Sequence, residues 1–285
     1  MQLSEHSAHR IARDARATVV ASRSQASSTC IDEAPTLKPA TSFTVRWARA
    51  RDEVREVQRL RYRVFAEEMG ASLPSLPGAL SAHDVDPFDV FCDHLLVRAH
   101  DTAGLGEVIA TCRVLTPEGA RRAGSLYTDS EFDLGPLRDL LPRTMEMGRV
   151  CVDAAWRNGL VVMALWRELG DYMLEQGVDA MIGCSSVSMS DGGELAVRLW
   201  HRLSQTYLVA PDRQVSPWTA LPLPGDVDDV QPVVPALIKG YLRCGGKLLG
   251  PPAVDEAFNT ADFPMMLQLR DMPARYSRRI LGASA

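Results

Sequence analysis

Stretches with the side-chain period of a strand alternate along this chain with stretches that have the period of a helix. Residues 43–49 (FTVRWAR) alternate between apolar and polar side chains, as a half-buried strand does. Apolar residues then recur at helical spacing from Val54 to Phe65. Because a strand buries one face and a helix one stripe, each needs a covering layer. The alternation therefore predicts an α/β fold with a central sheet flanked by helices.

The rest of the chain continues this pattern. HLLVRAH and GEVIATCRVLT, joined by the turn sequence DTAGLG, predict a hairpin. A strand is predicted over 144–152 and a helix over 155–176. A strand (DAMIGCSSV), two helices (GGELAVRLWHRLSQ and PALIKGYLRC) and a last strand (FPMMLQLRD) follow, and the polar RYSRR closes the chain. We expect one mixed α/β domain over residues 42–285.

Residues 1–41 have a different composition. They are rich in Ser, Ala, Thr and Arg and end in DEAPTLKPA, which predicts a mobile extension. A short amphipathic helix around 11–20 is an alternative, but its apolar face is small for a membrane anchor. The apolar stretch ATVVA is too short for a signal sequence or a span. We expect a cytoplasmic protein that at most contacts the inner membrane face.

Charge and cysteine content narrow the functional classes. The 285-residue chain has a net charge of -5. Proteins that coat nucleic acid carry an excess of basic residues instead. Its six cysteines occur singly among apolar neighbours with no CxxC pair, which favours reduced thiols. Its histidines show no ligand spacing. We therefore expect neither a nucleic-acid partner nor a metal.

Three motifs that would indicate other activities fail on their details. GYLRCGGK has Leu248 where a P-loop needs Ser or Thr. GCSSVSMSDGG lacks the GxSxG nucleophile elbow. DVDPFD lacks the Gly and the distal Glu of a calcium loop.

The strand predicted over 144–152, TMEMGRVCV, carries Glu146 and Arg149 within an apolar run. A buried structural ion pair is the alternative, but desolvation offsets most of its attraction. Residues three apart point to opposite faces of a regular strand. A β-bulge, most naturally at Gly148, would turn both charges into one cleft. It would also free backbone N–H groups to bind a substrate carbonyl or an oxyanion.

Charges interrupt apolar sequence elsewhere as well. Arg113 lies in a strand that is otherwise apolar from 108 to 115, where an outward or edge position is the alternative. Near the end of the first predicted helix, Arg61 fits a solvated helix face as well as a site. Arg63 lies beside the apolar residues Val64 and Phe65, and we predict that it belongs to a functional site. The next loop contributes three carboxylates, from Asp84, Asp86 and Asp89.

Together these segments resemble one family. The segments are RYRVFAEEMGA, DPFD with CDHLLV, TCRVL, SLYTDSEFDL, EMGRVCV, WRNG, ALIKGYLRCGG and AFNTADFPM. They are similar to those of the ornithine-lipid N-acyltransferases, which belong to the Gcn5-related acyltransferase superfamily and are relatives of the acyl-homoserine-lactone synthases. The resemblance runs from about residue 43 to 281. Eight separated matches in order are far more specific than any one of them.

The resemblance implies both a fold and a reaction. The fold would be a Gcn5-related mixed sheet with a bulged central strand. The reaction would move a 3-hydroxyacyl group from acyl carrier protein to the α-amine of ornithine, giving a lyso-lipid. The acyl-phosphopantetheine would arrive on the carrier, so no bound cofactor is expected. The positions that match cleft residues of the lactone synthases are Arg63, Asp86, Asp89, Arg113, Glu146 and Arg149.

The chemistry of aminolysis suggests a role for each of these residues. The amine must lose a proton before it attacks a thioester, and a partly desolvated carboxylate can accept it directly or through water. Glu146 is the predicted base. We expect Asp86 and Asp89 to hold ammonium groups, and Arg113 or Arg149 to hold the carboxylate. A nucleophilic Cys151 is disfavoured, because no His lies near it in sequence.

Departures from related families refine the prediction. In WRNGLVV, Gly159 comes one place early for the pyrophosphate-binding turn of acetyl-CoA enzymes, which a carrier-protein donor needs less. Met69 and Gly70 stand where lactone synthases have Trp, so lactone synthesis is the runner-up. A non-catalytic module that binds acyl carriers is a third alternative. For docking an acidic carrier we expect a basic patch, with candidates Arg157, Arg202, Arg243 and Lys247.

Overall fold

The computed structural model describes residues 42–73, 78, 80–101, 104–157, 159–225 and 231–280. The predicted extension over 1–41 and its alternative helix lie outside the described residues. The division into extension and domain therefore stays a prediction. Among the described residues, no helix is long and apolar enough to cross a membrane.

Ten described strands form two sheets. The strands are β1 (Ser42–Trp47), β2 (Asp93–Asp101), β3 (Gly104–Leu115), β4 (Phe132–Asp133), β5 (Thr144–Val152), β6 (Ala180–Ser188), β7 (Ser216–Pro217), β8 (Lys247–Leu248), β9 (Ala253–Asp255) and β10 (Thr260–Gln268). The central sheet has the order β1-β2-β3-β5-β6-β10-β8, and β9 pairs with β10. The short strands β4 and β7 pair with each other. Within the described sheets, β5 and β6 alone run parallel.

Helices cover both faces of the central sheet. They are α1 (Arg51–Tyr62), α2 (Pro117–Ala123), α3 (Gly159–Gln176), α4 (Glu194–Tyr207), α5 (Ala236–Arg243) and α6 (Ala274–Ile280). The apolar side of α1 packs with Leu96 of β2, whereas α3 packs with the neighbouring Leu95 and Val97. Because successive strand residues point to opposite faces, the two helices lie on opposite sides of the sheet. The predicted α/β class is confirmed.

Several predicted boundaries shift. The helix predicted from 155 begins at Gly159, after a 3-10 turn over Ala154–Trp156. The last strand starts three residues before the predicted FPMMLQLRD, and the segment that contains RYSRR forms α6. The helix α1 continues without a break into a π-helical turn over Arg63–Glu68. Each shift occurs at an element end, where hydrophobic periodicity carries the least information.

A bulge in β5 is present, but not at Gly148. Between the pairs Thr111↔Cys151 and Arg113↔Gly148, β5 contains one more residue than β3. Gly148 keeps a ladder partner, and Arg149 adopts the left-handed conformation with φ 51°. The extra residue therefore lies after Gly148, at Arg149 and Val150. This corrects the prediction that the glycine itself would form the bulge.

The strands β5 and β6 separate soon after they pair. Their parallel register extends from Thr144↔Ala180 only to Glu146↔Ile182. At the next residue of β6, Gly183, an added Cβ would lie 2.3 Å from the Met147 carbonyl oxygen and 3.1 Å from the Tyr241 hydroxyl. Only a residue without a side chain allows the two backbones this approach. The separation beyond this point opens the sheet to a cavity.

Gly183→Ala should destabilise the protein by roughly 1–3 kcal/mol, because the methyl group must displace backbone at the separation point. Urea unfolding of the purified chain measures this. The control is Gly159→Ala at the start of α3, where an added Cβ meets nothing within 4 Å. That variant should match the wild type or gain up to about 1 kcal/mol. Equal stability of both variants would show that Gly183 is not required at the separation point.

Candidate active site

A cavity of about 1010 Å³ opens where β5 and β6 separate. This is the upper end of the size range for small-molecule sites. Its walls are mainly apolar and come from the end of α1, β5, α3 and α5, with Phe65, Val150 and Leu165 among them. Buried polar groups, including Glu146, Arg113 and Asp262, line its interior. The exposed cations Arg157, Lys239 and Arg243 line its opening.

Glu146 lies in the interior of this cavity and is 5% exposed. Its Oε2 accepts from the Tyr127 backbone N–H at 2.7 Å, and its Oε1 accepts from the Thr128 N–H at 2.7 Å. The Thr128 hydroxyl donates to the same Oε1. Burial raises the pKa of Glu146, although these hydrogen bonds and the Arg113 charge oppose it. The structure thus supplies the desolvated carboxyl that the sequence prediction required.

The segment 127–128 that holds Glu146 was not predicted as part of the site. Its residues belong to SLYTDSEFDL, one of the segments that carried the family resemblance. Their backbone donors are used only once the chain has folded, so no charge or spacing in the sequence indicates them. The family resemblance was the one signal available for this segment.

Arg61 is completely buried, at 0% exposure. Its Nε donates to Asp84 at 2.7 Å and its Nη1 donates to Asp89 at 2.9 Å. The predicted alternative, a solvated helix face, is wrong for Arg61. Arg63, in contrast, lies on a solvated face, with its side chain 41% exposed. Its Nη2 donates to Asp153 at 2.8 Å, and Arg63 does not line the cavity. The prediction that Arg63 lines the cleft is therefore corrected.

Arg113 and Arg149 extend the network from Arg61 towards the cavity. The Arg113 Nη1 donates to Asp86 and, at 2.9 Å, to Asp89. The Arg149 Nη2 donates to Asp86 at 2.9 Å, and its Nε lies 3.3 Å from Asp84. Both arginines line the cavity. Arg149 also lies over the Tyr127 and Phe258 rings, at 5.0 and 4.7 Å from their centroids.

Asp89 is the centre of this network. Its Oδ1 accepts from Arg61 and Arg113, and its Oδ2 accepts from the Gln58 amide at 2.8 Å. Burial alone would raise the pKa of Asp89, but the charges of Arg61, His94 and Arg113 hold it well below the ordinary value. Its stabilising contribution is therefore complete above the pKa of the unfolded chain and is lost as the pH falls through the folded-state pKa.

The predicted role of Asp86 and Asp89 as ammonium ligands meets an obstacle in this geometry. Both carboxylates already bind arginines of the protein. Neither Asp86 nor Asp89 is among the residues that line the cavity. The three arginines balance the three aspartates Asp84, Asp86 and Asp89 in formal charge. The charges of the network thus balance without a substrate. Of its members, Arg113 and Arg149 line the cavity.

A second group of carboxylates was missed in the sequence. Asp262 of β10 is 4% exposed and lines the cavity together with Asp255. Glu131 lies close by, and oxygen atoms of Glu131 and Asp262 and the Cys184 sulfur are all within 4.8 Å of one another. These residues are distant in sequence. Asp262 lies within AFNTADFPM and Glu131 within SLYTDSEFDL, so the resemblance marked their segments without assigning them a role.

The remaining sequence candidates fall into two groups. Arg157 and Arg243 are at the cavity opening, where Arg157 forms a bidentate pair with Glu68. Arg202 and Lys247 are exposed but do not line the cavity. Lys239 lies at the opening and was not predicted. Cys151 is buried and burial raises its pKa to about 12, which disfavours the nucleophilic thiolate.

Parts of this architecture are similar to those of known proteins. The family model for an Acetyltransferase (GNAT) domain matches residues 60–167, from the end of α1 into α3. Together with the separated parallel strands and the bulged β5, this match defines the protein as an acyltransferase of the GNAT class. Among solved structures, the AHL synthase LasI matches 84% of this chain and 95% of its own at 13% identity, with a TM-score of 0.47.

Curated relatives identify the family within that class. The L-ornithine N(alpha)-acyltransferase of Rhodobacter capsulatus is 33% identical over 252 residues, which cover 85% of this chain and 97% of the relative. The L-ornithine N(alpha)-acyltransferase of Rhizobium meliloti is 34% identical over 256 residues, 82% of this chain and 83% of the relative. The chain belongs to the L-ornithine N(alpha)-acyltransferase family. The family predicted from the eight sequence segments is confirmed.

Arg61→Met should lower the free energy of unfolding by about 3–5 kcal/mol, because it leaves Asp84 and Asp89 buried with too little positive charge. Thermal or urea unfolding measures the loss. Arg55→Met is the matched control on the same helix, since its pair with Asp52 is exposed and contributes under about 1 kcal/mol. If the two variants unfold alike, the network does not anchor α1 to the loop that carries the aspartates.

Proposed function

We propose that this protein transfers an acyl group from the thioester of an acyl carrier protein to the α-amine of ornithine. One observation carries the proposal. A desolvated carboxyl, Glu146, lines a large, mainly apolar cavity together with the charged groups Arg113, Arg149 and Asp262. The apolar part suits a fatty acyl chain and the charged part suits an amino acid. The name of the curated relatives, L-ornithine N(alpha)-acyltransferase, supports ornithine as the acceptor and its α-amine as the acylated group.

The reaction is a direct aminolysis. Glu146 accepts a proton from the acceptor's ammonium group, directly or through water, and the neutral amine attacks the thioester carbonyl carbon. A C–N bond forms, the C–S bond breaks, and the carrier leaves as a thiol after taking up a proton. The amide nitrogen loses its second proton in the same sequence. No covalent acyl-enzyme is needed, in agreement with the buried, protonated Cys151.

The part of β5 that has separated from β6 could stabilise the negative charge that develops on the carbonyl oxygen. Beyond Glu146 the strand has no register partner on β6 within the described sheet, so its backbone on that side faces the cavity. Backbone N–H groups fixed in a dry site stabilise an oxyanion without reorganisation. Gly148 lies in this stretch, and an added Cβ there would meet only the Arg113 Nη2, at 3.9 Å. Arg149 and Arg113, which line the same interior, are positioned for the acceptor's carboxylate.

The cations at the opening suit an acidic carrier. Arg157, Lys239 and Arg243 surround the entrance through which an acyl-phosphopantetheine arm would pass. Their positive charge favours the phosphate of that arm and the acidic surface of its carrier, despite the net charge of -5 of the chain. The donor brings its own prosthetic group, so the proposal includes no resident cofactor. The product is amphiphilic, and we expect it to leave at the inner membrane face.

Purified protein should release free carrier thiol when given 3-hydroxyacyl carrier protein and ornithine, and mass spectrometry should identify N-acylornithine. Glu146→Gln should slow release by roughly 10²–10⁴, because it removes the base. The control Glu175→Gln changes an exposed carboxylate near the end of α3. Full activity of Glu146→Gln would exclude Glu146 as the base. Turnover with S-adenosylmethionine instead of ornithine would indicate a lactone synthase. Binding of the carrier without turnover would indicate a non-catalytic module.

The pH profile tests the base independently. The Thr128 hydroxyl stabilises ionised Glu146, so Thr128→Val should raise the pKa of Glu146 further. Since the base must be ionised to act, the acidic limb of kcat/KM should move to higher pH, by roughly one pH unit. Thr111→Val, which removes a buried hydroxyl bonded to the Leu95 carbonyl, is the matched control and should leave the limb in place. An unmoved limb in Thr128→Val would assign it to another group.

A further inference from the structure

The carboxylate group formed by Glu131, Asp255 and Asp262 has no role in the reaction as described above. Both carboxylate oxygens of Glu131 are buried and, apart from the weak thiol donor of Cys184, find no hydrogen-bond donor among the described residues. Asp262 is 4% exposed, accepts from the Thr260 hydroxyl at 2.8 Å and lines the cavity. Buried carboxylates without a cation are costly. This cost suggests that something positive binds there.

The charge balance of the site leads to the same conclusion. Arg61, Arg113 and Arg149 are engaged by Asp84, Asp86 and Asp89, and the two sets cancel in formal charge. Arg149 is the cation that attracts Asp262, but its ion pairs are with Asp84 and Asp86. Glu146 and the three carboxylates Glu131, Asp255 and Asp262 therefore form no ion pair among the described residues. An acceptor with two ammonium groups would supply two positive charges.

Electrostatics within the group supports a cationic ligand. Burial raises the pKa of Glu131, and the neighbouring carboxylate Asp262 raises it further. Burial likewise raises the pKa of Asp262, against the hydrogen bonds from Thr260 and Ser186. The raised pKa values favour the protonated forms, and a bound cation would favour the ionised forms instead.

The register of β6 gives the spacing between the two ends of the acceptor. Ile182 of β6 pairs with Glu146, and Ser186 pairs with Asp262. Four strand residues correspond to about 13 Å along β6. Cys184, which touches the Glu131–Asp262 pair, lies midway and faces the same cavity. This spacing separates Glu146, the proposed acceptor of the α-amine proton, from Asp262, the proposed ligand of the distal ammonium.

We infer that Asp262 at the cavity wall, with Asp255 beside it and Glu131 behind it, binds the side-chain ammonium of the acceptor and so selects amino acids that end in an amine. This inference rests on the proposed function and extends it, since it assigns the α-amine to Glu146 and the distal ammonium to a separate subsite. It also replaces the sequence prediction that Asp86 and Asp89 hold ammonium groups. Those two residues position Arg113 and Arg149 instead.

The test compares two acceptors in the thiol-release assay with the full chain. They are ornithine and norvaline, which has the same carbon chain but no distal amine. Glu131→Gln and Asp262→Asn keep the shape of each side chain and remove its charge. In each variant kcat/KM for ornithine should fall about 30-fold or more, as for the loss of one partner of a buried charge pair. For norvaline kcat/KM should stay constant or rise, because no ammonium is lost.

The controls separate specificity from damage to the fold. Glu175→Gln should leave both acceptors unaffected, and thermal unfolding should show that the two subsite variants remain folded. Equal losses for ornithine and norvaline, or no loss for either, would overturn the inference while leaving the proposed function intact. Loss of wild-type activity on chelation, restored by zinc, would assign the three residues to a metal and also overturn it. A wild-type chain that acylates neither acceptor would overturn the proposed function and the inference together.

Discussion

The buried network between Arg61, Arg113, Arg149 and the aspartates of residues 84–89 is the interaction on which the site depends. It joins three elements that are far apart in sequence: the end of α1, the loop before β2, and the paired strands β3 and β5. Ion pairs of this kind gain little net stability, because desolvation offsets their attraction. Their value here is positional, since each guanidinium bridges two aspartates and so fixes their relative positions.

That fixed orientation determines the shape of the cavity. Arg149 reaches the network only because the bulge turns its side chain to the same side as Glu146. The same bulge lies opposite the point where β5 leaves β6. One extra residue therefore places a guanidinium, a carboxyl and free strand backbone around one space. The apolar lining, Glu146 and the guanidinium groups of Arg113 and Arg149 thus border one cavity.

The order of the elements and the charged strand were accessible from sequence because hydrophobic periodicity and misplaced charges are local signals. The prediction erred where burial depends on distant packing. Arg61 and Arg63 are two residues apart in similar surroundings, yet one is fully buried and the other is 41% exposed. Which of them faces the aspartates is set by how α1 lies on the sheet. Glu131 lies just before β4 and Asp262 lies on β10, and their carboxylates meet only through tertiary packing, which no local pattern shows.

By itself, the sequence determined the fold class, the family and the strand that carries Glu146, since these depend on periodicity and on motifs read in order. Tertiary structure alone decided which charges neutralise one another and which remain for a substrate. It moved the bulge from Gly148 to Arg149, because the register with β3 leaves the extra residue there. It also turned Asp86 and Asp89 from expected ligands into partners of arginines. Charge compensation is a property of distances between elements, and the linear chain does not contain those distances.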